Sequence, residues 1–348
     1  MDDIWDKVFE MEIVHILPNS ELGGVQSFVA DLSRAQEKQG QSVSIVFKDS
    51  SAEKNPIFSG LKVVNYNTFI IDFCKNKFKD TIIHTHGHVL TLIGLLSIIF
   101  RTKKLIHTIH NTPRFEAGKY RRKVHRIFYN LGSVVPVSIS SKLLLEFNDL
   151  YKLNSKLSVL NGVSATRSIS KSEVSFQNYP GDMNILFVGR LDYQKNLNLL
   201  LNALNVIRKL NIGFHLHVVG KNYGIYDKKL FDEMVALKML TYYGESDDIG
   251  SFIDKADLLV QSSLFEGLPI LLLEAKLKKL PVLSTNVGGC AEILGSEDIL
   301  CLPELDFLVD GLQRAAERYS QYGKWSSPSK VDISIESCAA KYVEIYEQ

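Results

Sequence analysis

The sequence predicts an α/β protein built from two Rossmann-like domains, each a doubly wound parallel sheet. Three observations carry this expectation. Short apolar runs alternate with longer stretches of helical periodicity along most of the chain, the pattern of repeated βαβ units. A strand–glycine–helix turn opens each half, at Gly23-Gly24 and again at Gly189-Arg190. The 348 residues suit two domains of about 150 residues each.

Glu12 to Leu17 reads as the first strand and stops at Pro18; Gly23-Gly24 then opens a helix with apolar positions at Val25, Phe28, Val29 and Leu32. Backbone N–H groups at such a turn can approach a phosphate closely, so Gly23 and Gly24 are candidate ligand contacts. A glycine pair alone mostly marks a turn. Val43 to Phe47, Val63 to Tyr66, Thr81 to Thr85, Leu105 to Ile109 and Val134 to Val137 follow as strands. The apolar run Val89 to Phe100 is too short to cross a bilayer as a helix and reads as a buried helix. His84, His86 and His88 alternate and would share a face if their strand continued. Gly87 interrupts it, and no cysteine or carboxylate lies alongside, so no metal site is assigned. His110 stands where a parallel strand ends, the edge at which such sheets bind ligands.

Lys119, Arg121, Arg122 and Lys123, with His125 and Arg126, form a basic cluster on a helix whose apolar face is Tyr120, Val124, Ile127, Phe128 and Leu131. An anionic membrane surface and ordinary packing on the parent sheet fit that pattern equally. Leu157 to Leu160 is the last strand of this half, Asn161-Gly162-Val163 closes the domain 1–162, and Ser164 to Asn178 reads as linker.

The domain 163–334 repeats the logic, with Asn184 to Val188 as strand and Lys195 to Lys209 as helix. Arg190 and Lys195 lie at the strand's C-terminal end, where two cations can neutralise a diphosphate leaving group. The densest chemistry falls between Asp257 and Ala275, DLLVQSSLFEGLPILLLEA, a short apolar strand that turns into a helix near Pro269. The helix N-terminus leaves N–H groups near Gly267, Leu268 and Ile270 facing outward, a ready site for phosphate, and Gly267 carries no side chain to block it. Glu266 and Glu274 bracket this anion site with seven residues between them. Each carboxylate can accept from both hydroxyls of a vicinal diol, which suggests two diols with a diphosphate between them.

Residues 1–162 carry 21 Lys+Arg against 15 Asp+Glu (+6), leaving 19 against 24 (−5) in the remainder. That imbalance points the first half toward something anionic. A sequence pI near 7.7 and the lack of a reading module argue against nucleic acid. Cys74, Cys290, Cys301 and Cys338 are widely spaced, which suggests neither a zinc site nor a disulfide framework and fits a reducing cytoplasm. The acidic start MDDIWDKVFEM does not read as a signal peptide.

FEGLPILLLEA resembles the E-x7-E segment of the large retaining glycosyltransferase family that includes bacterial polysaccharide, glycogen and sucrose-type synthases. GGVQSFVADL, TIHN at Thr108 to Asn111, NGV at Asn161 to Val163, and FVGRLDYQKNLNLLLNAL at Phe187 to Leu204 are similar in kind and in order. The resemblance implies the GT-B architecture, two domains facing across a cleft with the C-terminal helix 335–348 crossing back onto the first. It also implies transfer of a sugar, with retention, from a nucleotide donor, UDP in first place, to a saccharide or a polyprenyl-diphosphate-linked saccharide. Glu274 would hold the ribose, Glu266 the donor hexose and His110 that same hexose, while Tyr243 and Gly244 would edge the base. No metal cofactor is expected, since Arg190, Lys195 and the helix N-terminus supply positive charge. Gly220-Lys221-Asn222-Tyr223 departs from the family's G-x-G-P turn, so local contacts there do not transfer. The rival readings are a non-catalytic subunit that binds nucleotide sugar and a two-domain sugar-nucleotide epimerase.

Overall fold

The structure is a computed structural model and describes residues 11–21, 23–49, 55–170, 174–176 and 182–348. The acidic start and part of the linker therefore lie outside the described residues. In chain order the first elements are β1 (Glu12–Leu17), α1 (Gly24–Lys38), β2 (Ser42–Phe47), β3 (Val63–Asn65), α2 (Tyr66–Cys74), β4 (Ile82–His86), α3 (Leu90–Phe100), β5 (Lys104–Ile109), α4 (Pro113–Glu116), α5 (Lys119–Asn130), β6 (Val135–Ser138) and α6 (Ser141–Tyr151). There follow β7 (Met183–Val188), α7 (Leu197–Lys209), β8 (Phe214–Val219), α8 (Lys228–Ala236), β9 (Leu240–Tyr242), α9 (Ile249–Lys255), β10 (Leu258–Gln261), α10 (Ile270–Leu277), β11 (Val282–Thr285), α11 (Cys290–Ile293), β12 (Ile299–Cys301), α12 (Leu305–Tyr322) and α13 (Ile335–Glu347).

The chain divides into two compact units, Met1–Gly162 with Ser334–Gln348, and Val163–Ile333. In the first unit six parallel strands run in the order β3-β2-β1-β4-β5-β6. Most of β1, β2, β4 and β5 is buried, which is why these strands read as nearly continuous apolar runs. Side-chain acceptors start the helices where the sequence offers them: Asn65 caps α2 and Ser140 caps α6. Ser334 caps α13, which packs on α1 and buries Tyr342 and Tyr346 completely or nearly so.

The second unit has the same design, six parallel strands in the order β12-β11-β10-β7-β8-β9. Phe187, Leu200, Leu204, Phe214 and Leu216 sit in its core, and α12 packs against α7. Each sheet has one switch point, between β1 and β4 in the first unit and between β7 and β10 in the second. Loops after those strands leave in opposite directions, so the crevice at their carboxyl ends is where a ligand fits.

Four expectations need correction. Leu157 to Leu160 forms no strand; Ser158 makes only an isolated bridge to Ser138. The helix expected from Lys195 begins at Leu197, because Asn196 takes a left-handed conformation at φ 49°. α3 is not a buried helix: Leu90, Ile93 and Gly94 face inward, while Leu92, Leu95, Ile98 and Ile99 are exposed, Ile99 to 66%. His88 leaves the row of His84 and His86, since β4 ends at His86 and Gly87 turns the chain. No helix among the described residues is long and apolar enough to cross a membrane.

Candidate active site

At the switch point of the second unit, the loop after β7 and the loop after β10 meet. Lys195 Nζ lies 2.6 Å from Glu266 Oε1, with both side chains largely buried. The same carboxylate accepts from Ser263 Oγ at 2.7 Å and from Gln194 Nε2 at 3.3 Å. Gln194 Nε2 also donates to the Phe265 carbonyl at 3.1 Å, and its Oε1 accepts from Arg190 Nη2 at 3.1 Å. Arg190 is the exposed member, steered by Asp192 at 2.9 Å, and Asp192 in turn accepts from the Lys195 backbone N–H at 3.0 Å. Two cations and one carboxylate are thus tied together through a glutamine and a serine. Lysine offers three donors, and Glu266 takes one of them.

Pro269 stands at the N-cap of α10, and Glu274 lies in the helix's second turn, half-buried, 3.4 Å from Arg167 Nη1. Arg167 comes from the stretch read as linker. The Gly267 carbonyl accepts from the Gly289 N–H at 2.7 Å, and Leu268 is buried. Gly288 has φ +52°, and a Cβ there would come within 2.2 Å of the Gly267 carbonyl oxygen and 2.3 Å of that of Glu266. Only glycine lets the loop after β11 hold the Glu266-Gly267 turn this closely.

Gly220 packs in the same way. A Cβ there would lie 2.0 Å from the Gly189 carbonyl oxygen, and its N–H donates to Gly244 at 2.7 Å. Gly244 is therefore committed through its carbonyl to the loop after β8. The Tyr243 hydroxyl is bonded to His217 Nδ1 at 2.9 Å, and Phe176 stacks on His217 with ring centroids 3.5 Å apart. Burial pulls His217 down to about 3, so it is neutral at physiological pH.

In the first unit, Gly23 precedes α1 in extended backbone and Gly24 is its first residue, in the loop after β1. His110 follows the last residue of β5 and is buried, its Nε2 2.8 Å from His86 Nδ1. Burial lowers its pKa to about 3, which leaves a neutral imidazole. Its backbone N–H faces the Glu116 carboxyl at 3.4 Å, and burial raises that carboxyl to about 8. Lys119, Arg121 and Lys123 are exposed on α5, and Arg122 is half-buried.

The glycosyl transferases group 1 model matches residues 169–327, nearly the whole second unit. The second unit therefore carries a glycosyl transferases group 1 domain. Among relatives, the O-antigen biosynthesis glycosyltransferase WbnH of Escherichia coli is 24% identical over 345 residues, covering 95% of this chain and 97% of the relative. An Escherichia coli UDP-Gal:alpha-D-GlcNAc-diphosphoundecaprenol alpha-1,3-galactosyltransferase is 26% identical over 264 residues, 69% of this chain and 67% of the relative. Among solved structures, HepE of Anabaena in complex with UDP aligns at TM-score 0.74 and 15% identity, over 97% of this chain and 100% of that one. A glycosyltransferase from Rickettsia africae aligns at TM-score 0.74 and 16% identity, over 97% and 98% of the two chains. The chain therefore has the GT-B fold.

Gln194, Ser263 and Arg167 were not singled out from the sequence. The S-x-x-E spacing of Ser263 and Glu266 was the available signal, since it places a hydroxyl beside a carboxylate three residues on. Gln194 and Arg167 carried no comparable signal, because their partners lie 72 and 107 residues away.

Proposed function

We propose that this protein moves a hexose or N-acetylhexosamine, with retention, from a UDP sugar to a hydroxyl of a saccharide or polyprenyl-diphosphate-linked saccharide in surface polysaccharide assembly. The observation that carries this reading is the Arg190–Gln194–Glu266–Lys195 cluster beside the N-terminus of α10 at the switch point. Such a group suits a diphosphate whose charge grows as the glycosidic bond breaks. Glu274 accepts from the ribose hydroxyls, Glu266 from the sugar, and His110 contacts that sugar. Support for UDP and for a lipid-linked acceptor comes from HepE, solved with UDP, and from the galactosyltransferase named for both. Glu266 is engaged by Lys195 and Ser263, and no side chain among the described residues of the site stands out as a covalent nucleophile; front-face attack fits, with the leaving phosphate taking the acceptor's proton. The reading places the reaction in the cytoplasm and needs no metal, because the two cations and the helix N-terminus balance the diphosphate.

A screen of UDP-, GDP- and ADP-sugars by thermal stabilisation, run in EDTA, tests the donor, since a ligand at a hundred times its Kd adds about 2.7 kcal/mol. UDP sugars should stabilise, and sugar transfer should persist in EDTA. Stabilisation by GDP or ADP sugars alone would reject the nucleotide, and rescue of a lost activity by Mg2+ would reject metal independence. Glu274→Ala should weaken UDP binding by about 1–3 kcal/mol, and unchanged affinity would remove its ribose role.

Attachment to an anionic bilayer is a second part of the reading, favoured by the exposed apolar side of α3. Thr91 Oγ1 bonds His125 Nε2 at 2.8 Å and Gly94 lies against Phe128, so α3 and α5 are locked together. The pair presents Leu92, Leu95, Ile98 and Ile99 on one helix and Tyr120, Ile127, Lys119, Arg121 and Lys123 on the other. Apolar side chains enter the acyl boundary while near-surface cations add about 1 kcal/mol each. Changing Lys119, Arg121, Arg122 and Lys123 together to Ser should release the protein from anionic liposomes and spare UDP binding. Equal flotation of wild type and quadruple variant would reject the cluster as the anchor and favour a soluble acceptor or a partner-mediated location.

A further inference from the structure

β1, β4 and β5 place histidines side by side, because parallel register sets His15 against His84. One nitrogen from each of the His15, His84 and His86 rings lies within 4.8 Å of the other two, close enough for a metal site, and the three rings carry six nitrogens between them. Every one of those six nitrogens already has a protein partner. His15 Nε2 meets Gln36 Oε1 at 2.8 Å and His15 Nδ1 meets His86 Nε2 at 3.0 Å. His86 Nδ1 meets His110 Nε2 at 2.8 Å. On the other branch His84 Nδ1 meets the Tyr346 hydroxyl and His84 Nε2 meets Thr108 Oγ1, both at 2.7 Å. Gln36 Nε2 donates to the Tyr346 hydroxyl at 3.1 Å and joins the two branches. The cluster is a hydrogen-bonded chain that ends at His110.

A neutral imidazole has one N–H and one lone pair, so a chain of neutral imidazoles transmits polarity from ring to ring. Burial lowers all four histidines, His15 to about 4 and His110 to about 3, with His84 and His86 well below the usual range. Gln36 fixes the direction. Its amide donates to Tyr346, so its carbonyl must accept from His15 Nε2–H. His15 Nδ1 then accepts from His86 Nε2–H, and His86 Nδ1 accepts from His110 Nε2–H.

We propose that Gln36 and Tyr346 are positioning residues that set the tautomer of His110, leaving its proton on Nε2 and its lone pair on Nδ1, so that the ring meets a sugar hydroxyl as an acceptor. The sugar contact rests on the function proposed above; the tautomer does not. Tyr346 lies on α13, so that helix acts on His110 through a glutamine and two histidines. The opposite setting is equally continuous: an inverted Gln36 amide would reverse each bond and leave His110 protonated on Nδ1. In the inverted setting Tyr346 would donate to Gln36 and accept from His84; the structure instead turns the Gln36 amide nitrogen toward the Tyr346 hydroxyl.

Long-range 1H–15N correlation of ring-labelled histidine reads this directly in the full chain without substrate, with His110 assigned by loss of its signals in His110→Asn. Wild type should show His110 protonated on Nε2 alone at pH 7. A proton on Nδ1, or on both nitrogens, would overturn the proposal whether or not any variant folds. Gln36→Met, close in length but without the acceptor, should convert His15, His86 and His110 to tautomer mixtures. Its kcat should fall with the share of His110 that carries its proton on Nδ1, about twofold for an even mixture. A folded Gln36→Met protein with wild-type tautomer populations would also overturn it. Full transfer activity in His110→Ala would instead sink the sugar contact and leave the tautomer result standing.

Discussion

Alanine at Lys195 is expected to lower kcat by about 10²–10³-fold while changing UDP affinity much less, because a charge aimed at a developing oxyanion acts mainly in the transition state. The structure gives the geometric basis. Lys195 is held by Glu266 at 2.6 Å, and Glu266 is fixed in turn by Ser263 and Gln194. The ammonium is therefore placed before any substrate arrives, with no reorganisation left to do during the reaction. Lys195→Arg should not restore the rate, since a planar guanidinium cannot occupy a position shaped for a compact ammonium. Arg190→Ala should also slow turnover but by less, because Arg190 is exposed and screened by Asp192. Steady-state and single-turnover rates with one UDP sugar measure this. A Lys195→Ala enzyme with unchanged kcat and only a higher KM for the acceptor would place Lys195 outside the diphosphate site.

The parallel sheets and the turns after β1, β7 and β10 were readable because their causes are local: apolar runs, a glycine, a proline near the start of a helix. Features that depend on neighbours far along the chain were not. Leu90 to Phe100 is so uniformly apolar that no periodicity marks which side faces out, and only packing against α5 decides that Ile93 is buried and Ile99 is not. His84 and His86 were visible as an alternating pair, yet the third ring came from His15 across the β1–β4 register, not from His88. Asn196 delays α7 by two residues through its left-handed backbone, a choice open to asparagine that the sequence does not announce. The Lys195–Glu266 pair joins two readable turns, but their distance is a property of the folded sheet.

Methionine at Lys276 is expected to destabilise the second unit by about 3–5 kcal/mol, since it leaves a buried carboxylate without its counter-charge. Lys276 and Asp298 are paired at 2.5 Å with both side chains fully buried. Burial pulls the ammonium below the usual lysine range, and Asp298 opposes that. All three N–H donors are used, on Asp298 Oδ1, on the Ser327 carbonyl at 2.9 Å and on Ser327 Oγ at 3.1 Å. Asp298 in turn accepts from the Val282 N–H at 2.9 Å, the Gly295 N–H at 2.8 Å and Ser327 Oγ at 2.7 Å. The pair thus ties α10, which carries Glu274, to the start of β11 and to the segment at Ser327. For a unit of this size the loss corresponds to a Tm drop of about 10 °C. Trp325 lies two residues from Ser327 and donates to the Glu297 carbonyl at 3.2 Å, so its fluorescence in a Trp5→Phe background follows this unit alone. Asp298→Asn in the same chain should return part of the loss, because it removes the orphaned charge and keeps an acceptor for the Val282 N–H, giving a coupling of about 1–3 kcal/mol in the double-mutant cycle. A Lys276→Met protein that melts within a degree or two of wild type would show that the carboxylate is solvated or neutralised by other means and that the pair does not hold α10 in place.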